Sequence, residues 1–434
     1  MNRHRIWAAL GIVGLVGIIA AGLFFYWPHG LDPVAASPSQ PRGTALLARG
    51  EYLTHAADCG ACHTAPGGKP FAGGLAFRLP FGTIYSPNIT PDPRNGIGAW
   101  SDAEFVRAMR SGVGRHGEDL YPAFPYTSYA LLSTDDILAI KAYLASLKPV
   151  DTPAPANALL FPFNQRPVMR AWKLLFLTRH PLAPDSSRSA AWNRGAYLVE
   201  GLAHCGECHT PRNLMFARKQ GQALAGGNVE GWKAWNITSD PDTGLGRWSD
   251  ADIASYLSTG HAHGHGAAAA GMRQAVDLSF SKLTPADIDA MVRYLRSIPA
   301  RSTDVAAQVN PTTVAMRSST PWSPAPGDPR GLGRRIFEGA CASCHAWTGA
   351  GQQIDRAALA GDHAVNDPAG ANVVAVILQG SRAEKPTAAT TMPAFAAAYS
   401  DAEIAAVANY VIGHFGGKDG RVTPKDVARQ RRGI

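Results

Sequence analysis

From Ile6 to Trp27 the chain runs for 22 residues without a charge, behind Arg3, His4 and Arg5. Coiled as a helix, that run would be about 33 Å long, enough to cross a bilayer. Basic residues ahead of it predict an N-terminus inside and the bulk of the chain outside. The alternative is a cleaved signal peptide, with small residues at Val34-Ala35-Ala36-Ser37. Beyond this run the apolar positions gather into short helices that recur three times. Each round opens on a helix with a glycine in a similar place: Arg49-Gly50-Glu51-Tyr52, Arg194-Gly195-Ala196-Tyr197 and Gly333-Arg334-Arg335-Ile336. Each has a capping signature in its middle, Ser101 to Glu104, Ser249 to Asp252 and Ser400 to Glu403, in which an acid three residues after a serine satisfies free backbone N–H groups. Thr284-Pro285 opens one further helix. Each round closes on an apolar helix carrying Tyr143, Tyr294 or Tyr410. The pattern predicts an all-α chain: an N-terminal transmembrane helix over 1–28, then three tandem domains over 43–150, 190–299 and 328–418, with first and last helices free to cross.

Segments between the rounds differ in kind. Residues 28–43 are rich in Pro and small residues, as a tether would be. Residues 149–190 hold Leu159 to Arg166 and Trp172 to Phe176, too apolar for a free linker. They predict packing at a domain junction, with a surface for the membrane or a partner as the other possibility. Residues 299–330 read as a Pro/Ser-rich linker, and the basic stretch Arg421 to Arg432 as a solvated end.

Composition narrows the chemistry. At 46% hydrophobic and 17% charged, with 45 Gly and 32 Pro, the chain suits small domains wrapped around large apolar groups. All six cysteines fall in three identical arrangements: Cys59-Gly-Ala-Cys62-His63, Cys205-Gly-Glu-Cys208-His209 and Cys341-Ala-Ser-Cys344-His345. Each is the attachment signature of a c-type haem, with two thiols for the porphyrin edge and an imidazole for the iron. A lone CxxC could be a zinc half-site, a redox pair or a disulfide. Only 14 of 434 residues are His, so composition alone would place one after all three CxxC runs with a probability of about 3 in 100,000. Three half-sites also pair badly for zinc. The expectation is three covalently bound haem c groups and therefore electron transfer. The formal charge of +8 falls to about +2 once six propionates are counted, so nucleic acid is not an expected partner. Covalent haem attachment outside the inner membrane predicts a periplasmic location for the domains.

An electron-carrying haem usually keeps a sixth ligand, and Met opposite His raises the potential. Met392, in Thr391-Met392-Pro393, is the candidate in the third round, and Met272, in a Gly-rich loop, in the second. His261, His263 and His265 are rivals to Met272. In the first round Leu120-Tyr121-Pro122-Ala123-Phe124-Pro125 puts a phenylalanine at the ligand place. Either His116 or Met109 substitutes, or the iron is five-coordinate, which would open a multihaem peroxidase reading.

With these features the chain resembles the membrane-anchored tri-haem cytochrome c subunits of periplasmic alcohol, gluconate and aldehyde dehydrogenases. The likeness extends to Phe81-Gly-Thr-Ile-Tyr-Ser-Pro-Asn88-Ile-Thr90, Leu120-Tyr-Pro-Ala and Asn193-Arg-Gly-Ala-Tyr-Leu. It implies proximal ligands His63, His209 and His345 and distal ligands Met272 and Met392. It also implies a separate catalytic subunit carrying molybdopterin, a quinone cofactor or a flavin, ubiquinone as acceptor, and no substrate chemistry in this chain. The Phe124 variant is more similar to subunits accompanying molybdenum hydroxylases that oxidise aldehydes or N-heterocycles. A haem subunit of a terminal oxidase would share the anchor and the CxxCH units.

Overall fold

A computed structural model describes residues 3–302, 329–352, 355–381 and 392–433, without the side chains of residues 3–6, 8, 9, 329 and 330. The chain divides into two compact units, Met1–Thr54 with Cys62–Ala183, and His55–Ala61 with Pro184–Ile434.

The first unit begins with helix α1 (Arg3–Tyr26). Its apolar side chains face outward, Val13 and Ile18 at 69% and 71% exposure. Among the described residues no helix is long and apolar enough to cross a membrane. The span expected over Ile6–Trp27 is therefore not found there; what is found is a helix with apolar residues turned out. Helix α2 (Gly43–Ala56) leads to α3 (Cys59–His63). An antiparallel hairpin follows, β1 (Ala76–Leu79) with β2 (Gly82–Tyr85), and then α4 (Asp102–Ser111), α5 (Tyr126–Tyr129) and α6 (Thr134–Ser146). Gly50 is where α2 meets α6: a Cβ there would stand 2.0 Å from the Ala139 carbonyl oxygen and 2.8 Å from the Tyr143 Cβ.

The expected junction segment is part of this unit. Strand β3 (Ala158–Leu159) adds to the hairpin beside β2, and α7 (Val168–Phe176) buries Trp172 and Lys173. The Lys173 ammonium is inside the fold because it has partners, donating to the Gly112 carbonyl (2.6 Å) and the Asp119 carboxylate (2.7 Å).

The second unit holds the next two rounds. Helix α8 (Ala190–Ala196) widens into a π turn over Tyr197–Leu202 before α9 (Gly206–His209). The hairpin of β4 (Gly227–Val229) with β5 (Trp232–Ala234), α10 (Asp250–Thr259), the pair β6 (His261–Ala262) and β7 (Gly266–Ala267), α11 (Ala270–Leu278) and α12 (Pro285–Ser297) complete the round. The third runs from α13 (Pro329–Ile336) through a second π turn, Phe337–Cys341, to α14 (Ala342–His345), then α15 (Ala371–Gln379) and α16 (Asp401–Gly416). The glycine-for-crossing device recurs. A Cβ on Gly195 would stand 2.0 Å from the Ala290 oxygen and 2.8 Å from the Tyr294 Cβ; on Gly333, 2.2 Å from the Ala406 oxygen and 2.8 Å from the Tyr410 Cβ. Phe337, Ile404, Ile412 and Phe415 fill the third core, each contributing about 1.5–3 kcal/mol of burial.

Three details depart from the sequence reading. The fold is mostly helical rather than all-α, since hairpins β1–β2 and β4–β5 follow the first two CxxCH segments. The basic end is not a solvated tail: Thr423 caps helix α17 (Pro424–Arg431), whose Val427 is fully buried and whose Arg431 donates to Asp401 at 2.8 Å. Met272 lies in the first turn of α11 instead of a loop. Most of the linker expected over 299–330 lies outside the described residues.

Candidate functional site

The first CxxCH segment forms the short helix α3, and the other two end in α9 and α14, with Cys205 and Cys341 just before them. What orients the imidazoles is the same in all three. His63 Nδ1 lies 2.7 Å from the Pro87 carbonyl oxygen, His209 Nδ1 2.6 Å from that of Trp235, and His345 Nδ1 2.7 Å from that of Ala357. A carbonyl oxygen only accepts, so Nδ1 is the donor and the lone pair of the neutral ring is on Nε2. Burial lowers the pKa of all three rings and keeps them neutral. This is the orientation a metal-bound histidine takes when a backbone carbonyl holds its other nitrogen.

The cysteines fit the same group. None is in a disulfide. Burial pushes the Cys205 thiol up to about 12 and the Cys341 thiol up to about 11. Two thiols and one Nε2 in each segment are the donor set a covalently held haem needs.

The loops carrying the accepting carbonyls are pinned by buried asparagines. Asn88, next to Pro87, donates to the Val150 (2.7 Å) and Thr152 (3.1 Å) carbonyls and accepts from the Thr90 N–H and hydroxyl. Asn236, next to Trp235, donates to the Arg301 carbonyl (2.7 Å) and the Thr243 hydroxyl, and accepts from Thr238. The sequence alone assigns no role to the Asn88-Ile-Thr90 run, although its repetition as Asn236-Ile-Thr238 is a readable signal. The accepting carbonyls themselves leave no signal, since every residue has one.

A second threefold relation appears further along each round. The middle helix of each round ends on a glycine at positive φ: Gly112 (58°), Gly260 (75°) and Gly380 (73°). The residue twelve positions on is Phe124, Met272 or Met392. The Gly112 and Gly260 carbonyls each accept from the N–H eight residues later, Leu120 and Ala268, at 2.8 Å. Phe124 therefore shares its offset along the chain with the two methionines. Met392 packs against the third core, and its backbone exchanges hydrogen bonds with Ser381 (2.9 and 3.0 Å). Ala270, two residues before Met272, takes a φ of 47°, an uncommon conformation for a residue with a Cβ.

Among the alternative ligands, Met109 is buried in α4 and His116 is exposed in the loop beyond it. His261 and His263 face Asp355 at 3.7 and 2.9 Å, while His265 stacks on Trp248 (3.9 Å between rings) and faces Asp252 at 3.6 Å. Within the second unit the two rounds touch beside His209: the Trp235 ring lies 4.3 Å from His363, Lys233 pairs with Asp367 (3.2 Å), and the Asn372 amide exchanges two bonds with the Lys233 backbone (2.8 and 2.9 Å).

Comparison with known proteins agrees with this chemistry. Residues 47–148 match the cytochrome c family, and residues 331–411 match the family described as cytochrome C oxidase, cbb3-type, subunit III. The chain is 38% identical over 420 residues to the fructose dehydrogenase cytochrome subunit of Gluconobacter japonicus, covering 93% of this chain and 85% of that one. It is 37% identical over 413 residues to the gluconate 2-dehydrogenase cytochrome c subunit of Pantoea cypripedii, covering 92% of each. It is 42% identical over 427 residues to a nicotinate dehydrogenase subunit of Pseudomonas putida; there it is covered to 94% but spans only 34% of the relative's length.

Proposed function

The chain belongs to the cytochrome c subunits of dehydrogenases, and from that premise we propose that it carries three covalent haem c groups in three tandem domains (43–150, 190–299 and 328–418) and passes electrons from a catalytic subunit toward ubiquinone. The observation that carries the count is the threefold site: a CxxCH helix whose histidine Nδ1 is held by a carbonyl, met at His63, His209 and His345. When bound, each haem supplies a one-electron iron couple. The chain's own residues do the rest. Cys59, Cys62, Cys205, Cys208, Cys341 and Cys344 hold the porphyrin edges. His63, His209 and His345 present Nε2 to the metal, their rings locked by Pro87, Trp235 and Ala357. Met272 and Met392 would supply a thioether to the second and third groups, a ligand that would raise their potentials.

The substrate is chosen by the partner. The Phe124 turn and the likeness to the nicotinate dehydrogenase subunit favour a molybdopterin partner oxidising an N-heterocycle or an aldehyde. A location on the periplasmic side of the inner membrane, held by α1, is supported by the charge-free run Ile6–Trp27 and by the exposure of its apolar side chains. Of the other readings, a terminal oxidase subunit rests on the match over 331–411, whereas the dehydrogenase relatives extend over more than nine-tenths of the chain. A peroxidase reading rests on Phe124 alone, and a ferric spectrum with all three irons low-spin would remove it.

Purification of the intact complex is the test. Three haems per chain by pyridine haemochrome, molybdenum in the co-purifying subunit, and haem reduction only with partner and substrate together are expected. Substrate oxidation by this chain alone would overturn the proposal.

A further inference from the structure

Helix α7 carries apolar side chains on two sides. One face, Met169, Trp172, Lys173 and Phe176, turns into the first unit, with the Trp172 ring 6.1 Å from Tyr126. The other exposes Val168, Leu174 and Leu175, the last two at 71% and 63%, and the preceding turn adds Leu160 and Phe161 at 65% and 79%. Leucines and an aromatic ring left exposed side by side mark a contact surface. Two observations say what that surface meets. The Arg170 guanidinium donates to the Phe24 carbonyl in the last turn of α1 (2.9 Å), so α7 lies where α1 ends, beside the exposed Tyr26 and Trp27. Residues 152–184 contain no Asp or Glu but do contain Arg166, Arg170, Lys173 and Arg179.

We propose that α7 and the Leu160–Phe161 turn form a second membrane contact, lying in the headgroup layer of an anionic bilayer with Leu174, Leu175 and Phe161 reaching the acyl boundary. The inference rests on α1 being a membrane anchor. Exposed aliphatic and aromatic side chains next to the interfacial end of a helix, on a segment that carries arginines and no acid of its own, are what that layer accommodates, and Asp119, the acid that pairs with Arg170 and Lys173, is buried beneath them. Lys173 reaches from the same helix to Gly112 and Asp119. Membrane contact would therefore hold the segment carrying Phe124 at a set height above the bilayer.

With all six native cysteines committed to haem, a new one can be labelled alone. Full-length holoprotein bearing Leu175→Cys, Ile18→Cys or Lys69→Cys is spin-labelled and reconstituted in phosphatidylcholine–phosphatidylglycerol vesicles, and accessibility to oxygen and to a water-soluble nickel chelate is read by EPR. The expected result is an oxygen-to-nickel ratio several-fold higher at positions 175 and 18 than at 69. A water-like ratio at 175 with a lipid-like ratio at 18 overturns this inference and leaves the anchor. A water-like ratio at 18 overturns the anchor reading and this inference with it. Protection of 175 from both probes only when the catalytic subunit is added assigns the surface to that protein instead, and overturns the proposal.

Discussion

Each CxxCH histidine gives its Nδ1 proton to a carbonyl, and the residue supplying that carbonyl differs every time: Pro87, Trp235, Ala357. Because the acceptor is backbone, its side chain is free to vary, and the loop must be positioned by something else. In two rounds that is a buried asparagine, so Asn88→Ala or Asn236→Ala should cost about 1–3 kcal/mol by stranding buried backbone groups. Thermal denaturation of the holoprotein would show the loss, with that histidine's tautomer, read by resonance Raman, disturbed in the mutated round only. Phe124 makes a second residue-level statement. It shares the twelve-residue offset from a left-handed glycine with Met272 and Met392, so Phe124→Met should add a third methionine–iron signature in near-infrared magnetic circular dichroism and raise one potential in a redox titration. Met392→Ala should do the reverse in the third round. An unchanged spectrum in Phe124→Met would mean that position 124 does not face the first haem.

Helices in this protein are placed by two devices that recur. One is the absent side chain at each crossing: a Cβ on Gly195 would meet the Ala290 oxygen at 2.0 Å. Gly195→Ala should therefore push α8 and α12 apart at a cost of about 1–3 kcal/mol or more, seen as a lower melting temperature and reduced haem retention. The other is the capping box. The Ser101 backbone N–H holds the Glu104 carboxyl below its usual range, and the Ser400 hydroxyl and N–H do the same for Glu403. A depressed folded pKa means stability that is present above the unfolded value and lost as pH falls through the folded one. Acid titration of stability should show this loss below the ordinary carboxylate range, and Ser101→Ala with Ser400→Ala should flatten it. Both devices are legible in the sequence, as glycines and Ser-x-x-acid runs in three registers. The hairpins β1–β2 and β4–β5 are not, because strands of three or four residues carry too little pattern to separate from loop.

At the scale of the molecule, the second and third rounds are joined within one unit by groups no motif announces. Asn372 exchanges two backbone bonds with Lys233, in the strand that leads to Trp235. Asn372→Ala should lower the stability of the second unit by about 1–3 kcal/mol while leaving the potential of the first haem unchanged, which differential scanning calorimetry and redox titration would separate. The segment 149–190 is readable as too apolar to be free, yet only the fold shows its inward half locked by Lys173 on Gly112 and Asp119 and its outward half bare. The stretch Arg421–Arg432 looks solvated by composition, yet Val422 and Val427 are buried while Arg421, Lys425 and Arg429 stay exposed, since charge outweighs two valines in a count of residues but not in packing. By itself the sequence determined where the CxxCH units lie and how often they recur, because two thiols and an imidazole within five residues form a local unit. Only the tertiary structure decided which carbonyl orients each imidazole, 24, 26 and 12 residues downstream, and which apolar residues stay exposed. Those choices are made by backbone groups that every residue carries and by neighbours that no local pattern encodes.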